Sequence, residues 1–376
     1  MKDVLQVEHV ELTRHGSRVT LQGDVGGEQL YWNMPDQPAV SVRGEPFIAA
    51  LLVSAMTTGR DLRLPRDVPV DQAFLRSIDA LQTTFEGWFT GLRRVTVDAS
   101  GTDAARATSG RYAGYSGGVD SSYTVMRIGS VLDGAVLVDG IDYAEPQERL
   151  MAEVVERLRG TMEKRGLPLI RVATNTKLVG RRLGGHWHQF IGGSLASVPH
   201  AIGAAEYWIA GSNSWENLRP YGTHPFADPL WSSSTVRIHH HGAEARRIDK
   251  LRALVDASQL LDSLRVCFQG KEYNCGVCHK CLQTAAALRA IAVNAAPIPT
   301  LQDPRLLRRM EVEHDGDLVD WEEILSADLE TRDLPLAREL NRLIRRYRWR
   351  QAARAINTVV FGGRVRRWVG GPHRRK

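Results

Sequence analysis

The stretch YAGYSGGVDSSYTV, Tyr112 to Val125, gathers residue types that can hold an oxyanion. Gly117 and Gly118 let the backbone approach an anion with no side chain in the way. Ser116, Ser121 and Ser122 add hydroxyl donors. Ala113–Tyr115 reads as the end of a strand and Ser122–Ile128 as a helix, so the string sits where a helix begins. Unpaired N–H groups and the positive end of the helix dipole meet there and attract phosphate. Asp120 is the awkward member. A carboxylate repels phosphate unless it orders the loop or holds a magnesium ion. A Walker A loop is excluded, because no G-x-x-x-x-G-K-[ST] string occurs.

A second constellation lies downstream. All four cysteines of the chain fall in one C-x7-C-x2-C-x2-C run: Cys267, Cys275, Cys278 and Cys281. Thiolates at x2 spacing can turn around one ion, and four of them suit a closed structural zinc site. Three close cysteines plus one is also a pattern of iron–sulfur ligation. Gly276 relaxes the turn, and CLQTAAALRAIA continues as a helix that would anchor the site. Lys280, inside the knuckle, reads as a solvated or phosphate-facing lysine.

The seven-residue string S-G-G-V-D-S-S, between a strand and a helix, matches the signature of the PP-loop ATP pyrophosphatase superfamily. Together with the late cysteine run, the chain resembles the zinc-containing 7-cyano-7-deazaguanine synthase (QueC-like) branch over roughly residues 109–295. The resemblance implies a parallel-sheet, Rossmann-like fold of the adenine nucleotide alpha hydrolase type. It implies ATP, Mg²⁺ and Zn²⁺ as cofactors. ATP would lie along Gly114, Tyr115, Ser116, Gly117, Gly118, Val119, Asp120, Ser121 and Ser122, with Asp139 at the next strand end by the adenosine. Asp120, Ser116 and Ser121 would carry the catalysis, and Cys267, Cys275, Cys278 and Cys281 would hold the zinc. The implied reaction transfers AMP to an oxygen of a small-molecule acyl substrate, releases pyrophosphate, and lets ammonia or another nitrogen displace AMP. No glutaminase segment is visible and Lys2 follows Met1, so ammonia is expected from solution or from a partner.

Residues 211–233, GSNSWENLRPYGTHPFADPLWSS, stand where that family contacts its substrate, but they do not reproduce its deazaguanine-recognising pattern. Ser212, Asn213, Arg219, His224 and Asp228 are the candidates there. Arg219 could pair with a carboxylate, and His224 or Asp228 could move a proton or hold a metal. The competing reading is a polar loop that covers the sheet. His186 and His188 read as surface or helix-cap residues, and the run His239–His241 as native sequence with no named metal partners. Two other functions stay open: a tRNA-modifying PP-loop enzyme (sulfur transfer or ligase), and a non-catalytic ATP- or AMP-binding module.

The elements that must position these residues follow from periodicity. Residues 1–43 read as strands, with GDVGG as a hairpin turn. Residues 45–59 read as a helix. In 70–92, Leu75, Ile78, Leu81, Phe85, Trp88 and Leu92 recur at helical spacing behind a capping Asp71. These make an N-terminal α+β domain, 1–99, ahead of a small polar linker at 100–110. It would serve as a lid, or as the dimerisation element of a homo-oligomer. Strands then alternate with helices over 111–295, the pattern of a parallel sheet covered on both faces, with a helix bent or interrupted at Pro199. Residues 296–376 read as a helical region with a basic tail.

Charge is uneven. From Asn341 onward there are 12 Lys/Arg and no acid; removing them from the overall +6 leaves −6 for residues 1–340. An acidic body argues against a nucleic-acid enzyme. The basic, aromatic tail could touch an anionic membrane surface or RNA, or simply be a solvated helix end. No secretory segment opens the chain and no apolar run is long enough to span a bilayer, which suggests a cytoplasmic protein.

Overall fold

The computed structural model describes residues 3–104, 107–141, 148–269, 272–312, 315–331 and 333–361. The chain forms two compact units, 1–273 and 274–376. The first is α/β, built on a large and mostly parallel sheet.

It opens with an antiparallel meander, β1 (Val4–His15), β2 (Arg18–Val25) and β3 (Glu28–Pro35), the last two joined at Gly26-Gly27. β2 buries every second residue, as period-2 patterning demands of a strand with one face on the core. Then come α1 (Glu45–Thr58), β4 (Asp61–Arg63), β5 (Pro69–Asp71), α2 (Gln72–Trp88), β6 (Val97–Asp98) and β7 (Ser100–Thr102). α1 is apolar all round and is buried from Glu45 to Met56. Its one buried acid, Glu45, is paired with Arg43 at 3.0 Å and accepts the Asp71 amide at 2.8 Å. Asp71 in turn caps α2 by accepting from the Phe74 amide. Of the expected stripe, Ile78, Leu81 and Phe85 are fully packed and Leu75 and Trp88 half-buried; the helix ends at Trp88, so Leu92, though buried, lies beyond it.

The alternating half follows: β8 (Arg111–Gly114), α3 (Val119–Ile128), β9 (Gly134–Asp139), α4 (Glu148–Glu163), β10 (Leu169–Thr174), α5 (Thr176–Arg182), α6 (Trp187–Ile202), β11 (Glu206–Ala210), β12 (Arg237–His241), α7 (Arg247–Leu254) and α8 (Ser258–Leu261). Its five strands are parallel, in the order β12-β11-β8-β9-β10. The chain enters at the centre, moves outward through β9 and β10, then returns to add β11 and β12 on the other side of β8. Strand order therefore reverses between β8 and β11. In open parallel sheets the crevice outside the strand ends at such a reversal is where ligands bind. α6 does not stop at Pro199 but runs on to Ile202.

Segments 1–99 and 111–295, separated in the sequence reading, share one ten-stranded sheet: β3 pairs antiparallel with β10, Ala173 opposite Asn33 and Thr174 opposite Trp32. The 100–110 segment, read as a linker, carries β7, which pairs with β5, and its Ser109 amide donates to Gly203 O. Strand pairing is a backbone property, so no change in composition marks it. The second unit contains α9 (His279–Ala290), α10 (Asp315–Thr331) and α11 (Leu334–Phe361). Among the described residues no helix is long and apolar enough to cross a membrane.

α1 and α6 approach each other at backbone distance. A Cβ on Gly193 would lie 2.1 Å from Ala49 O. Gly193→Ala must push the helices apart and is expected to cost about 1–3 kcal/mol in urea unfolding; unchanged stability would contradict this packing.

Candidate functional site

The loop 115–118 leaves the carboxyl end of β8 and enters α3. Tyr115 anchors its start: its amide donates to Val136 O at 2.8 Å, and its buried hydroxyl lies 3.2 Å from Ser263 Oγ. Gly117 has φ +75°, and a Cβ there would meet Leu158 Cδ2 at 2.8 Å. Only glycine satisfies both constraints. The Gly117 carbonyl accepts from the Arg265 amide at 2.8 Å, which ties the loop to the chain beneath it. Gly118 is the N-cap of α3, with no side chain capping the helix, so the first-turn amides keep their donor capacity. The Ser116 and Ser121 hydroxyls sit 3.3 Å apart across the turn. Val119 and Ser122 are completely buried and support the loop from inside.

Asp120 points to two cations from α7. Its Oδ2 accepts from Arg247 Nη1 at 2.6 Å and its Oδ1 from Lys250 Nζ at 3.1 Å. Lys250 is fully buried, and its ammonium also donates to Gly211 O at 2.6 Å, at the end of β11. These contacts tie the first turn of α3 to α7. Neither Arg247 nor Lys250 stands out in the sequence. RRIDKLRAL is too charged to read as a buried helix face, although Ile248, Leu251 and Leu254 are buried beside Lys250.

The candidate residues after β11 divide. Ser212 is exposed and Asn213 half-buried, directly beyond Gly211. Arg219 is half-buried and near enough to Tyr221 for its charge to act on that phenol. His224 and Asp228 come together with His240 of β12. Asp228 is buried, accepts from the His224 amide at 3.1 Å, and holds His240 Nδ1 at 2.7 Å. Burial pushes the Asp228 carboxyl up, against the pull of the His240 hydrogen bond. Burial, with His240 nearby, pushes His224 down, so its imidazole stays neutral more readily. A Cβ on Gly211 would lie 2.1 Å from His240 Nε2. A chain of contacts thus runs from buried Asp228 through His240 and Gly211 to buried Lys250 and on to half-buried Asp120.

The three consecutive histidines do not converge on one ion. Successive strand residues face opposite sides. His239 contacts Glu206 at 2.8 Å, His240 contacts Asp228, and His241 Nδ1 lies 3.1 Å from Thr124 Oγ1. His186 is the N-cap residue of α6, and His188 Nδ1 lies 3.4 Å from the Tyr221 hydroxyl. Asp139 ends β9 but turns to Arg171, at 2.6 Å.

Cys267, Cys275, Cys278 and Cys281 come together, with all four Sγ atoms within 4.8 Å of one another. Four sulfurs about 2.3 Å from a central zinc would stand about 3.8 Å apart, and Cys275 Sγ and Cys281 Sγ are 4.0 Å apart. The cluster could therefore hold a metal ion such as zinc. The Gln269 amide donates to Cys267 Sγ and the Cys278 amide to Cys275 Sγ, each at 3.4 Å. Gly276 takes φ +70° with its Cβ direction 3.0 Å from Pro299, so the knuckle needs glycine there.

Two outcomes are expected. Cys278→Ser should lose bound zinc and lower the melting temperature, because structural zinc contributes directly to folding; unchanged melting would rule out a closed metal site. His240→Ala should destabilise the fold by about 3 kcal/mol, since it strands the buried Asp228; a loss below about 0.5 kcal/mol, the range of surface substitutions, would mean the pair is not a structural link.

Comparison with known proteins gives no relative for this arrangement: no family model, no curated protein and no solved structure matches the chain.

Proposed function

We propose that the chain binds ATP at the loop between β8 and α3 and activates a small-molecule carboxylate or carbonyl oxygen as its adenylate. Ammonia or another nitrogen nucleophile then resolves the adenylate. The observation that carries this reading is the S-G-G-V-D-S-S string at a strand-to-helix turn beside a reversal of strand order. A carboxylate oxygen would attack Pα, and the bond from Pα to its bridging oxygen would break as pyrophosphate leaves. Nitrogen would add to the acyl carbon and give up a proton, and AMP would depart with the bonding electrons.

The chain's own contribution is electrostatic. First-turn amides of α3 and the Ser116 and Ser121 hydroxyls would face the pyrophosphate. Arg247 and Lys250 would place two positive charges beside it, where fixed dipoles and cations act most strongly on developing charge. Magnesium would arrive bound to the ATP phosphates. Both Asp120 oxygens already hold cations, so no step is routed through a bond from Asp120 to the metal. Zinc at the four cysteines would be structural. Every cysteine of the chain sits in that cluster, which disfavours sulfur transfer to tRNA. One observation favours a non-catalytic ATP-binding module instead: both Asp120 oxygens are taken up by Arg247 and Lys250.

The test is pyrophosphate release from Mg-ATP across a panel of carboxylic acids with ammonium. Turnover is expected with at least one acid. Asp120→Asn keeps the shape but removes the charge holding Arg247 and Lys250, and should slow turnover by about 10²-fold. Arg247→Ala should weaken ATP binding by about tenfold, the scale of one hydrogen bond to a charged group. ATP binding with no pyrophosphate from any acid would select the binding-module reading; no ATP binding would overturn both.

A further inference from the structure

The last helix of the second unit has two unlike faces. Leu336, Leu340, Leu343 and Tyr347 recur at helical spacing and are buried. The opposite stripe, Arg338, Arg342, Arg345, Trp349, Ala352 and Ile356, is exposed along its length. It changes character on the way. Arginines lead, then apolar residues take over, with Trp349 78% and Ile356 57% exposed. The buried register fades after Tyr347: the next positions, Arg350 and Gln351, are half-buried and Arg354 is exposed, while the backbone stays helical to Phe361. Helical turns with so little buried side chain gain little from propensity alone. Burial of Trp349 and Ile356 against something else would stabilise them.

The local charge indicates what that is. From Asn341 to the end of the chain there are 12 Lys/Arg and no acid. The acids that meet these arginines come from elsewhere in the unit, as in Arg348 with Glu322 at 2.6 Å and Arg350 with Glu311 at 3.3 Å, each pair with at least one largely solvated member. Such surface pairs are weak and exchange readily for another anion. RNA also takes arginine beside an aromatic ring, because bases stack on it. An exposed isoleucine gains nothing there. A lipid headgroup boundary accepts the indole, the isoleucine and the flanking arginines together.

We propose that the C-terminal turns of α11 dock on an anionic lipid surface. Trp349 and Ile356 enter the headgroup boundary, and Arg345 and Arg348 lie against lipid phosphates. The helix lies on the membrane and does not cross it. This proposal is independent of the nucleotide reading.

The experiment is co-sedimentation of the full chain with phosphatidylcholine vesicles, with and without phosphatidylserine, at low and high salt. Binding is expected to phosphatidylserine vesicles and to fall by about tenfold or more without that lipid or at high salt, as screening of a few charges implies. The double variant Trp349→Ser, Ile356→Ser should bind those vesicles at least about tenfold more weakly with an unchanged melting temperature. No vesicle binding, equal binding to neutral vesicles, or an unaffected double variant would each overturn the proposal. So would binding to single-stranded RNA that the double variant loses, which would assign the face to RNA, or a dimer in light scattering that the double variant dissociates, which would assign it to a second copy.

Discussion

The Lys250 ammonium has no contact with solvent and depends on two acceptors, Asp120 on α3 and the carbonyl of Gly211 at the end of β11. Removing either partner of a buried ion pair is costly, because the remaining charge has no water to turn to. That constraint fixes α7 against α3, holds the end of β11 beside the end of β8, and sets the mouth of the crevice where strand order reverses. The glycine-rich loop is shaped at this mouth. Arg247, from the same helix, takes the second oxygen of Asp120. The pair therefore both closes the fold at the switch point and concentrates positive charge there.

A buried acid, Asp228, meets this ion pair through one glycine. Asp228 holds His240, whose ring edge fills the space a side chain at residue 211 would need, and the Gly211 carbonyl then receives Lys250. The segment after β11 is thereby coupled to the glycine-rich loop. If the proposed function holds, substrate residues in that segment would be positioned by the same network that positions Arg247 and Lys250.

Much of this could be read from the residues. The strand, loop and helix around Gly117, the capping of α2 by Asp71 and the stripe Ile78, Leu81, Phe85 all follow from local rules, and local rules are what a sequence expresses. The four cysteines were legible because their spacing is itself the geometry. Lys250 and Arg247 were not. They sit on a short, charged helix whose periodicity is weak, and their partners lie 130 and 127 residues away. The joining of β3 to β10 was hidden for a related reason, since backbone pairing leaves no compositional trace. The histidine run misleads in the opposite way. Adjacent residues look like a cluster, but a strand turns them to alternate faces and gives each its own partner.

Hydrogen exchange of the full chain, with and without a non-hydrolysable ATP analogue and magnesium, tests the central claim most directly. The account predicts slower exchange of the amides at 116–121 and of α7 around Arg247 and Lys250. Nucleotide binding that leaves both segments unchanged would place the site elsewhere and contradict it.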